Sequence, residues 1–261
     1  SDGAYTRSMR LAHGPAVITV RQGEGDFVDC RLRLADTRDL GSAVARVRRL
    51  LDLDADPEAI AETLRSAGLE RLVDEYPGIR SPGHSDPVEL ALRTVLGQQI
   101  SLAAARTHLE RLVAGAGESL PKELSLVGVD RVFPTAETIA GLPASDWALP
   151  ASRIRTIHAL SVALADGSVE LGAGSDREDA SRNLLALPGI GPWSNGYIRI
   201  RALGDPDVFM DTDLGVKKAL ADLDDASGVA GGWKEIAMNC SPWRSYLTHL
   251  LWAHHARSAE T

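Results

Sequence analysis

The chain has 261 residues, of which 44% are hydrophobic and 25% charged, and its formal net charge is −8. This length and composition are those of a globular protein with one large domain or two small ones, and no apolar run is long enough to cross a membrane. A protein with a negative net charge is not expected to bind along a long stretch of nucleic acid. A small binding surface that holds a few phosphates is compatible with this charge.

Cysteine and histidine usage limits the metal chemistry of the chain. Two cysteines, Cys30 and Cys240, cannot supply a four-cysteine cluster, and the seven histidines show no metal-binding helix motif, so no metal site is expected. Ser1 rather than Met opens the sequence and no secretory signal follows it, so we expect a cytoplasmic protein that is trimmed or is a piece of a longer polypeptide.

The N-terminal part combines strands with helix. Residues 16–22 are rich in β-branched side chains and residues 28–34 alternate between apolar and polar, which predicts two strands of a hairpin. The alternation places Cys30 on the buried face of the second strand. Leu40, Val44, Val47 and Leu51 then recur at helical spacing.

Prolines and glycines between residues 74 and 87 mark a connecting segment, and after it the signals are almost entirely helical. The sequence therefore predicts an α+β chain with a strand-containing subdomain over residues 1–78 and a helical domain over residues 79–261. Helix starts are indicated at Asp86-Pro87, at Ser101 with Leu102 facing inward, at Thr135, at Ser175 with Glu178 as a capping box, and at Ser241-Pro242.

A glycine turn, Gly189-Ile190-Gly191, separates a helix that ends near Leu187 from one that begins near Pro192. Backbone N–H groups of such a turn, together with the N-terminus of the next helix, can bind an anion such as a phosphate. A dinucleotide site would need glycine at the position of Ser194 and a strand before the turn, and neither is present. The alternative, that this turn is an ordinary helix–turn–helix corner that binds no ligand, is not excluded by the turn alone.

The run from Leu187 to Lys218, containing LPGIGPW and MDTD, closely resembles the helix-hairpin-helix-GPD superfamily of base-excision DNA glycosylases. RTVLGQQIS at 93–101 and PWRSYLTHLLW at 242–252 are similar to segments of its AlkA-type members, the 3-methyladenine DNA glycosylase II enzymes. The likeness covers most of the chain. It implies that the helical part is a helix-hairpin-helix domain whose turn, through Gly189, Ile190 and Gly191, binds DNA.

The resemblance implies that Asp213 is the catalytic carboxylate. An ionised carboxylate at a helix N-terminus can stabilise the positive charge that develops on the sugar and can orient the attacking water. Asp211, two residues earlier, is a competing assignment, and either residue could simply cap the helix. Strand-nicking members carry a lysine at the position of Trp193, so the resemblance implies a monofunctional enzyme.

Three aromatic residues, Trp193, Tyr197 and Trp252, match the pocket of the AlkA-type relatives, and stacking would favour a cationic alkylated purine. The alternative is that they belong to the core. Ala253 stands where relatives place another aromatic residue, so the sequence does not determine the shape of the pocket.

The resemblance also implies DNA contacts away from the hairpin. The loop with Gln98 and Gln99 corresponds to the segment that fills the gap left by a flipped base, although known relatives have leucine at the position of Gln99. Both glutamines could instead cap a helix end. Arg244 could meet a DNA phosphate or a carboxylate of the chain.

The resemblance implies release of 3-methyladenine and 7-methylguanine types of base from double-stranded DNA by a monomer in the nucleoid. No cofactor is expected, except for a monovalent cation at the hairpin when DNA is bound. Two alternatives stay open: a glycosylase for deaminated or oxidised bases, and a non-catalytic helix-hairpin-helix module. Similar domains can follow a methyl-transfer regulator in one chain.

Overall fold

The structure is a computed structural model that describes residues 3–227 and 232–258. Five strands are present in these residues: β1 (Tyr5–Leu11), β2 (Gly14–Gln22), β3 (Val28–Leu34), β4 (Glu118–Ser119) and β5 (Arg131–Val132). The α-helices are α1 (Leu40–Leu51), α2 (Pro57–Leu64), α3 (Glu70–Glu75), α4 (Pro87–Leu96), α5 (Leu102–Ala116), α6 (Ala136–Ala140), α7 (Ala151–Ala165), α8 (Arg177–Leu185), α9 (Pro192–Arg201), α10 (Leu214–Ser227), α11 (Gly232–Asn239) and α12 (Arg244–Ser258). The α+β class is confirmed.

Two compact units divide the chain, and each is built from two separate segments. The first unit contains residues 1–48 and 88–170, and the second contains residues 49–87 and 171–261. No single cut of the chain therefore separates them. The domain boundary near residue 78 stays a prediction.

The first unit contains a three-stranded antiparallel sheet with the order β1-β2-β3. The predicted hairpin is confirmed, with Val20 opposite Cys30 and Ile18 opposite Leu32. β1 was not predicted from the sequence, although its Met9 and Leu11 are buried. In the helical region β4 pairs with β5, so this region is not entirely helical.

Cys30 was predicted to be buried and this is wrong, because the residue is exposed. β3 is an edge strand of the sheet, and alternation fixes only which face a side chain takes, not whether anything covers that face. The opposite residue Val20, on the central strand, is buried.

Most helix starts follow from their capping residues. The side chains of Ser101 and Thr135 accept backbone hydrogen bonds from Ala104 and Thr138, as predicted. The cap of α8 is Asp176 rather than Ser175, since its carboxylate accepts from the N–H groups of Glu178 and Asp179.

Two details at helix N-termini differ from prediction. Leu102, expected to face inward, is 91% exposed at the first position of α5. Ser241-Pro242 precedes α12 through a cis peptide bond, and the helix itself begins at Arg244.

The second unit is organised around one hydrophobic core. The helices α2, α3, α9, α10, α11 and α12 contribute to it, with Leu64, Ile200, Val216, Leu247 and Leu250 fully buried. The three aromatic residues of the predicted pocket pack at the border of this core and stay half-buried. The core therefore fixes the backbone of the helices that carry the candidate site. No helix in the described part of the chain is long and apolar enough to span a membrane.

Candidate active site

The glycine turn lies between the end of α8 and the start of α9, as predicted. Gly189 has a φ of 80°, a left-handed conformation that favours glycine, and Ile190 is 5% exposed and anchors the turn to the interior. Gly191 is the N-cap of α9, with Pro192 at the first helical position. A Cβ atom at Gly191 would meet open space, so packing within the described chain does not require glycine there.

Helix α9 carries two of the predicted pocket residues one turn apart. The rings of Trp193 and Tyr197 are stacked, with centroids 5.4 Å apart and planes within 10°. Trp252 of α12 meets Tyr197 at a centroid distance of 6.1 Å and an interplanar angle of 53°. The structure therefore brings the three residues into one aromatic cluster.

Asp213 lies directly before α10 and is both a helix cap and the centre of this cluster. Its Oδ1 atom accepts the backbone N–H of Val216 at 2.9 Å and the indole N–H of Trp252 at 2.9 Å. Its Oδ2 atom accepts the indole N–H of Trp193 at 2.7 Å. Asp213 is therefore a helix cap that also lies within the aromatic cluster, and its catalytic role stays a prediction.

These donors keep the carboxylate ionised. Burial alone would raise the pKa of Asp213, but the hydrogen bonds from Trp193, Trp252 and the backbone N–H groups of Val216 and Gly215 outweigh it and hold this pKa below its usual value. The result is a half-buried negative charge beside three aromatic rings, which can stabilise a developing positive charge.

Asp211, the competing assignment, is exposed and accepts no hydrogen bond from the described residues. The aromatic cluster holds Asp213 and not Asp211, which favours Asp213 as the functional carboxylate.

Helix α12 also positions the segment that leads to Asp213. The Ser245 hydroxyl donates to the carbonyl of Asp205 at 2.6 Å and accepts the N–H of Val208 at 3.0 Å. Thr248, one turn later, accepts the N–H of Met210 at 3.2 Å. Ser245 and Thr248 are fully buried, so these polar groups fix the backbone of residues 205–210 against the helix that carries Trp252.

Two glycines make this packing possible, and neither was predicted from the sequence to matter for the site. A Cβ atom at Gly196 of α9 would lie 2.7 Å from the Met210 sulfur. A Cβ atom at Gly215 would lie 3.1 Å from Asp213 Oδ1 and 3.4 Å from Cδ1 of Trp252. Glycine is unfavourable inside a helix, so its presence in α9 and α10 was a usable signal.

A second layer of polar residues behind the aromatic cluster was also missed. The guanidinium of Arg201 lies over the Tyr197 ring, 5.9 Å from its centroid. The His249 ring stands perpendicular to Trp252, at 4.9 Å and 88°. Helical spacing was the available signal, because Arg201 is four residues after Tyr197 and His249 three before Trp252.

Arg244, predicted to contact a phosphate or a carboxylate, pairs with a carboxylate of the chain. Its Nε and terminal nitrogen donate to the two oxygens of Asp207 at 2.7 and 2.8 Å. A contact with DNA stays a prediction. Ala253, beside Trp252, is half-buried.

Gln98 and Gln99 belong to the other unit of the chain, in the turn between α4 and α5. Gln99 is exposed and has a φ of 55°, which is uncommon for a residue with a side chain. Gln98 is half-buried, and its N–H donates to the carbonyl of Val95. Their role at DNA stays a prediction.

The described residues contain no group of three or more His, Cys, Asp or Glu side chains that could hold a metal ion.

Comparison with known proteins gives a consistent set of relatives. A family model described as the AlkA N-terminal domain matches residues 1–86. DNA-3-methyladenine glycosylase 2 of Escherichia coli is 30% identical over 261 residues, covering 97% of this chain and 86% of the relative. A Mycobacterium tuberculosis protein named probable bifunctional transcriptional activator/DNA repair enzyme AlkA is 44% identical over 255 residues, covering 96% of this chain.

This chain spans about half the length of the mycobacterial relative, of which 50% is covered. Among solved structures, a 3-methyladenine DNA glycosylase from Archaeoglobus fulgidus superposes with a TM-score of 0.78 at 18% sequence identity. The match covers 100% of this chain and 90% of that chain, which supports the fold.

Proposed function

This chain belongs to the AlkA family of DNA-3-methyladenine glycosylases, and we propose that it hydrolyses the bond between an alkylated purine and deoxyribose in double-stranded DNA. The observation that carries this proposal is the Asp213 carboxylate, held ionised by two indole N–H groups at the edge of an aromatic cluster.

In the proposed reaction the bond from the sugar carbon to the base nitrogen breaks, and its electron pair leaves with the base. Positive charge then develops on the sugar, where an ionised Asp213 stabilises it. Water adds to the sugar carbon and gives up one proton, which Asp213 can accept as a general base. The products are a free base and an abasic site in an intact strand.

The proposed substrate class follows from the positive charge of an alkylated base. A purine alkylated at N3 or N7 carries a positive charge, which makes it a good leaving group and favours contact with the rings of Trp193, Tyr197 and Trp252. Such cation–π contacts contribute about 0.5–2 kcal/mol, which selects a base but does not supply the rate of the reaction.

DNA binding is proposed to use the turn at residues 189–191. The open space around Gly191 supports this proposal, because a phosphate could approach the backbone N–H groups at the start of α9 without meeting a side chain. We also propose that a monovalent cation binds at this turn together with the phosphate, since backbone carbonyl oxygens suit such an ion. Gln98, Gln99 and Arg244 are proposed as further DNA contacts.

The enzyme is proposed to be monofunctional. Formation of a Schiff base with the sugar requires an amine, and Trp193 supplies none. Borohydride is therefore expected to trap no covalent adduct with DNA. We further propose that the protein acts as a monomer on chromosomal DNA in the cytoplasm.

Mass spectrometry of the bases freed from methylated DNA tests the proposal. The wild-type protein is expected to release 3-methyladenine and 7-methylguanine, and Asp213→Asn is expected to release at least about a hundredfold less while still binding DNA. Asp211→Asn, which changes an exposed carboxylate two residues away, is the matched control and is expected to keep the wild-type rate.

Each alternative has its own outcome in this experiment. Release of hypoxanthine or oxidised bases without release of methylated bases would identify a different class of glycosylase. DNA binding with no base released from any of these substrates would identify a non-catalytic module.

A further inference from the structure

His249 is a buried histidine directly behind the aromatic cluster. It lies on α12, one turn before Trp252, and is 8% exposed. Its Nε2 atom is buried without a hydrogen-bond partner, and the ring forms no hydrogen bond with any described residue. The His249 ring packs perpendicular to the indole of Trp252, with ring centroids 4.9 Å apart.

Trp252 is in turn tied to Asp213. Its indole N–H donates to Oδ1 at 2.9 Å, and this hydrogen bond helps to hold the carboxylate ionised. The bond needs the indole plane to present its N–H to that oxygen, because the donor direction of an indole is fixed by the ring. Whatever fixes the ring of Trp252 therefore also fixes a donor to Asp213.

We propose that His249 is a positioning residue, whose flat ring holds the indole of Trp252 in the orientation that donates to Asp213. The inference rests on the proposed function, since it assigns a role in base release. An edge-to-face contact limits rotation of the indole, whereas a branched aliphatic side chain of similar size would present no flat surface.

The surroundings keep this ring uncharged. Burial, together with the charge of Arg201 at the end of α9, lowers the pKa of His249 to about 3. Burial raises the pKa of Asp213, and the hydrogen bonds that lower it come from the two indole N–H groups and from the backbone N–H groups of Gly215 and Val216. A change at His249 therefore reaches the pH dependence of the reaction through Trp252 and not through a charge of its own.

Three variants separate positioning from general packing. His249→Leu removes the flat ring, His249→Phe keeps it without the nitrogens, and His254→Leu is the matched control. His254 is on the same helix, and its ring contact is with Tyr76, edge-on at 6.3 Å and 86°, rather than with Trp252. Should His249→Leu fail to fold, His249→Met, which is also unbranched at Cβ and lacks a ring, takes its place.

The measurements are the pH profile of base release under single-turnover conditions and the NMR signal of the Trp252 indole N–H. In His249→Leu the acid limb, the fall in rate at low pH, should move up by about half a pH unit, because a hydrogen bond to the ionised Asp213 weakens. The rate at neutral pH should fall about tenfold, because the carboxylate is less well positioned. The Trp252 signal should move upfield. His249→Phe should restore most of the rate and the signal, and His254→Leu should match the wild type.

A His249→Leu variant with the wild-type acid limb and Trp252 signal overturns the inference, and so does a His249→Phe variant as defective as His249→Leu. Failure of the proposed function is distinguishable, because wild-type protein that releases no base would still give the indole signal on which the role of His249 is measured.

Discussion

The indole N–H of Trp193 donates to Oδ2 of Asp213 at 2.7 Å, across twenty residues of sequence. The ring that stands where strand-nicking relatives carry an amine is thus a donor to the candidate catalytic carboxylate. The same ring is stacked on Tyr197, so one side chain joins the aromatic cluster to the charge.

Removing this donor should change the pH dependence of base release. In Trp193→Phe the ring can still stack on Tyr197, but Asp213 loses one of the hydrogen bonds that lower its pKa. The reaction needs the ionised form, so a higher pKa moves the acid limb of the pH profile, the fall in rate at low pH, to higher pH. The rate at neutral pH should be about tenfold lower, because the carboxylate is less well positioned without this donor. Single-turnover rates from about pH 3 to pH 8 measure both effects.

Trp243→Phe is the control for this prediction. Trp243 also belongs to the second unit and meets Tyr246 edge-on at 5.7 Å, and its N–H does not bond to Asp213. An acid limb that is the same in Trp193→Phe and in the wild type would contradict the role assigned to Trp193.

Gly215→Ala should impair the reaction more than the fold. The new Cβ atom would lie 3.1 Å from Asp213 Oδ1, so the carboxylate must move slightly, and it would contact Trp252 Cδ1 and His255 Cδ2 at 3.4 Å each. Because alanine favours helix over glycine, the free energy of unfolding should change little while base release falls about tenfold.

The matched control is Gly41→Ala in α1, where a Cβ atom meets nothing within 4 Å. This exposed position should gain about 0.5–1 kcal/mol of stability with no change in rate, as measured by urea denaturation and base release. Equal rates for Gly215→Ala and the wild type would show that the site tolerates a side chain beside Asp213.

The pair of Arg244 and Asp207 should contribute to stability in a pH-dependent way. The hydrogen bond from Arg244 is the main reason that the pKa of Asp207 is lowered. A carboxyl with a depressed folded-state pKa contributes stability that is present above its unfolded pKa, about 3.9, and is lost as the pH falls through the folded value. Asp207→Asn should therefore cost about 1–2 kcal/mol at pH 7, with allowance for the partly exposed Arg244, and less at pH 3.

Urea denaturation at several pH values measures this loss, and a double-mutant cycle with Arg244→Gln isolates the pair. A constant difference between wild type and Asp207→Asn from pH 7 to pH 2 would contradict the prediction. The same Arg244→Gln variant tests the proposed DNA contact, because loss of a phosphate contact lowers the salt dependence of binding by about one unit of slope.

His13 should make the first unit less stable as the pH rises. Its Nδ1 atom lies 2.8 Å from Oδ1 of the buried Asp39, and its backbone N–H donates to Oδ2 at 2.9 Å. The hydrogen bond to Asp39 raises the pKa of His13. A raised histidine pKa gives stability that is fully present below the unfolded value, about 6.5, and is lost as the pH rises through the folded value.

The Tm of the wild type should include a component that falls between about pH 6 and 8, and His13→Gln should lack that component. His158→Gln, at an exposed histidine of α7 in the same unit, should keep it. Identical pH profiles for His13→Gln and the wild type would exclude a contribution from the pair.

Local sequence patterns were sufficient to predict many of the helices and strands. Ser101 and Thr135 cap the helices that they were expected to start, because a cap depends on three or four neighbouring residues. The same patterns wrongly predicted that Cys30 and Leu102 are buried. Periodicity assigns a side chain to one face of a strand or helix, but residues far along the chain decide whether that face is covered. β1 was overlooked because its alternation is weak in a strand that carries two arginines.

The sequence by itself determined the members of the site: the turn at 189–191, the three aromatic residues, and an aspartate about twenty residues after the turn. It left open whether Asp213 is a cap or the functional carboxylate, and whether Arg244 meets a phosphate or a carboxylate. Tertiary structure made Asp213 both a cap and an acceptor of two indole donors, and it paired Arg244 with Asp207. It also placed Gly215 and His249 beside the site. These relationships join α9, α10 and α12, and such contacts depend on how the helices pack around a shared core, which spacing along the chain does not encode.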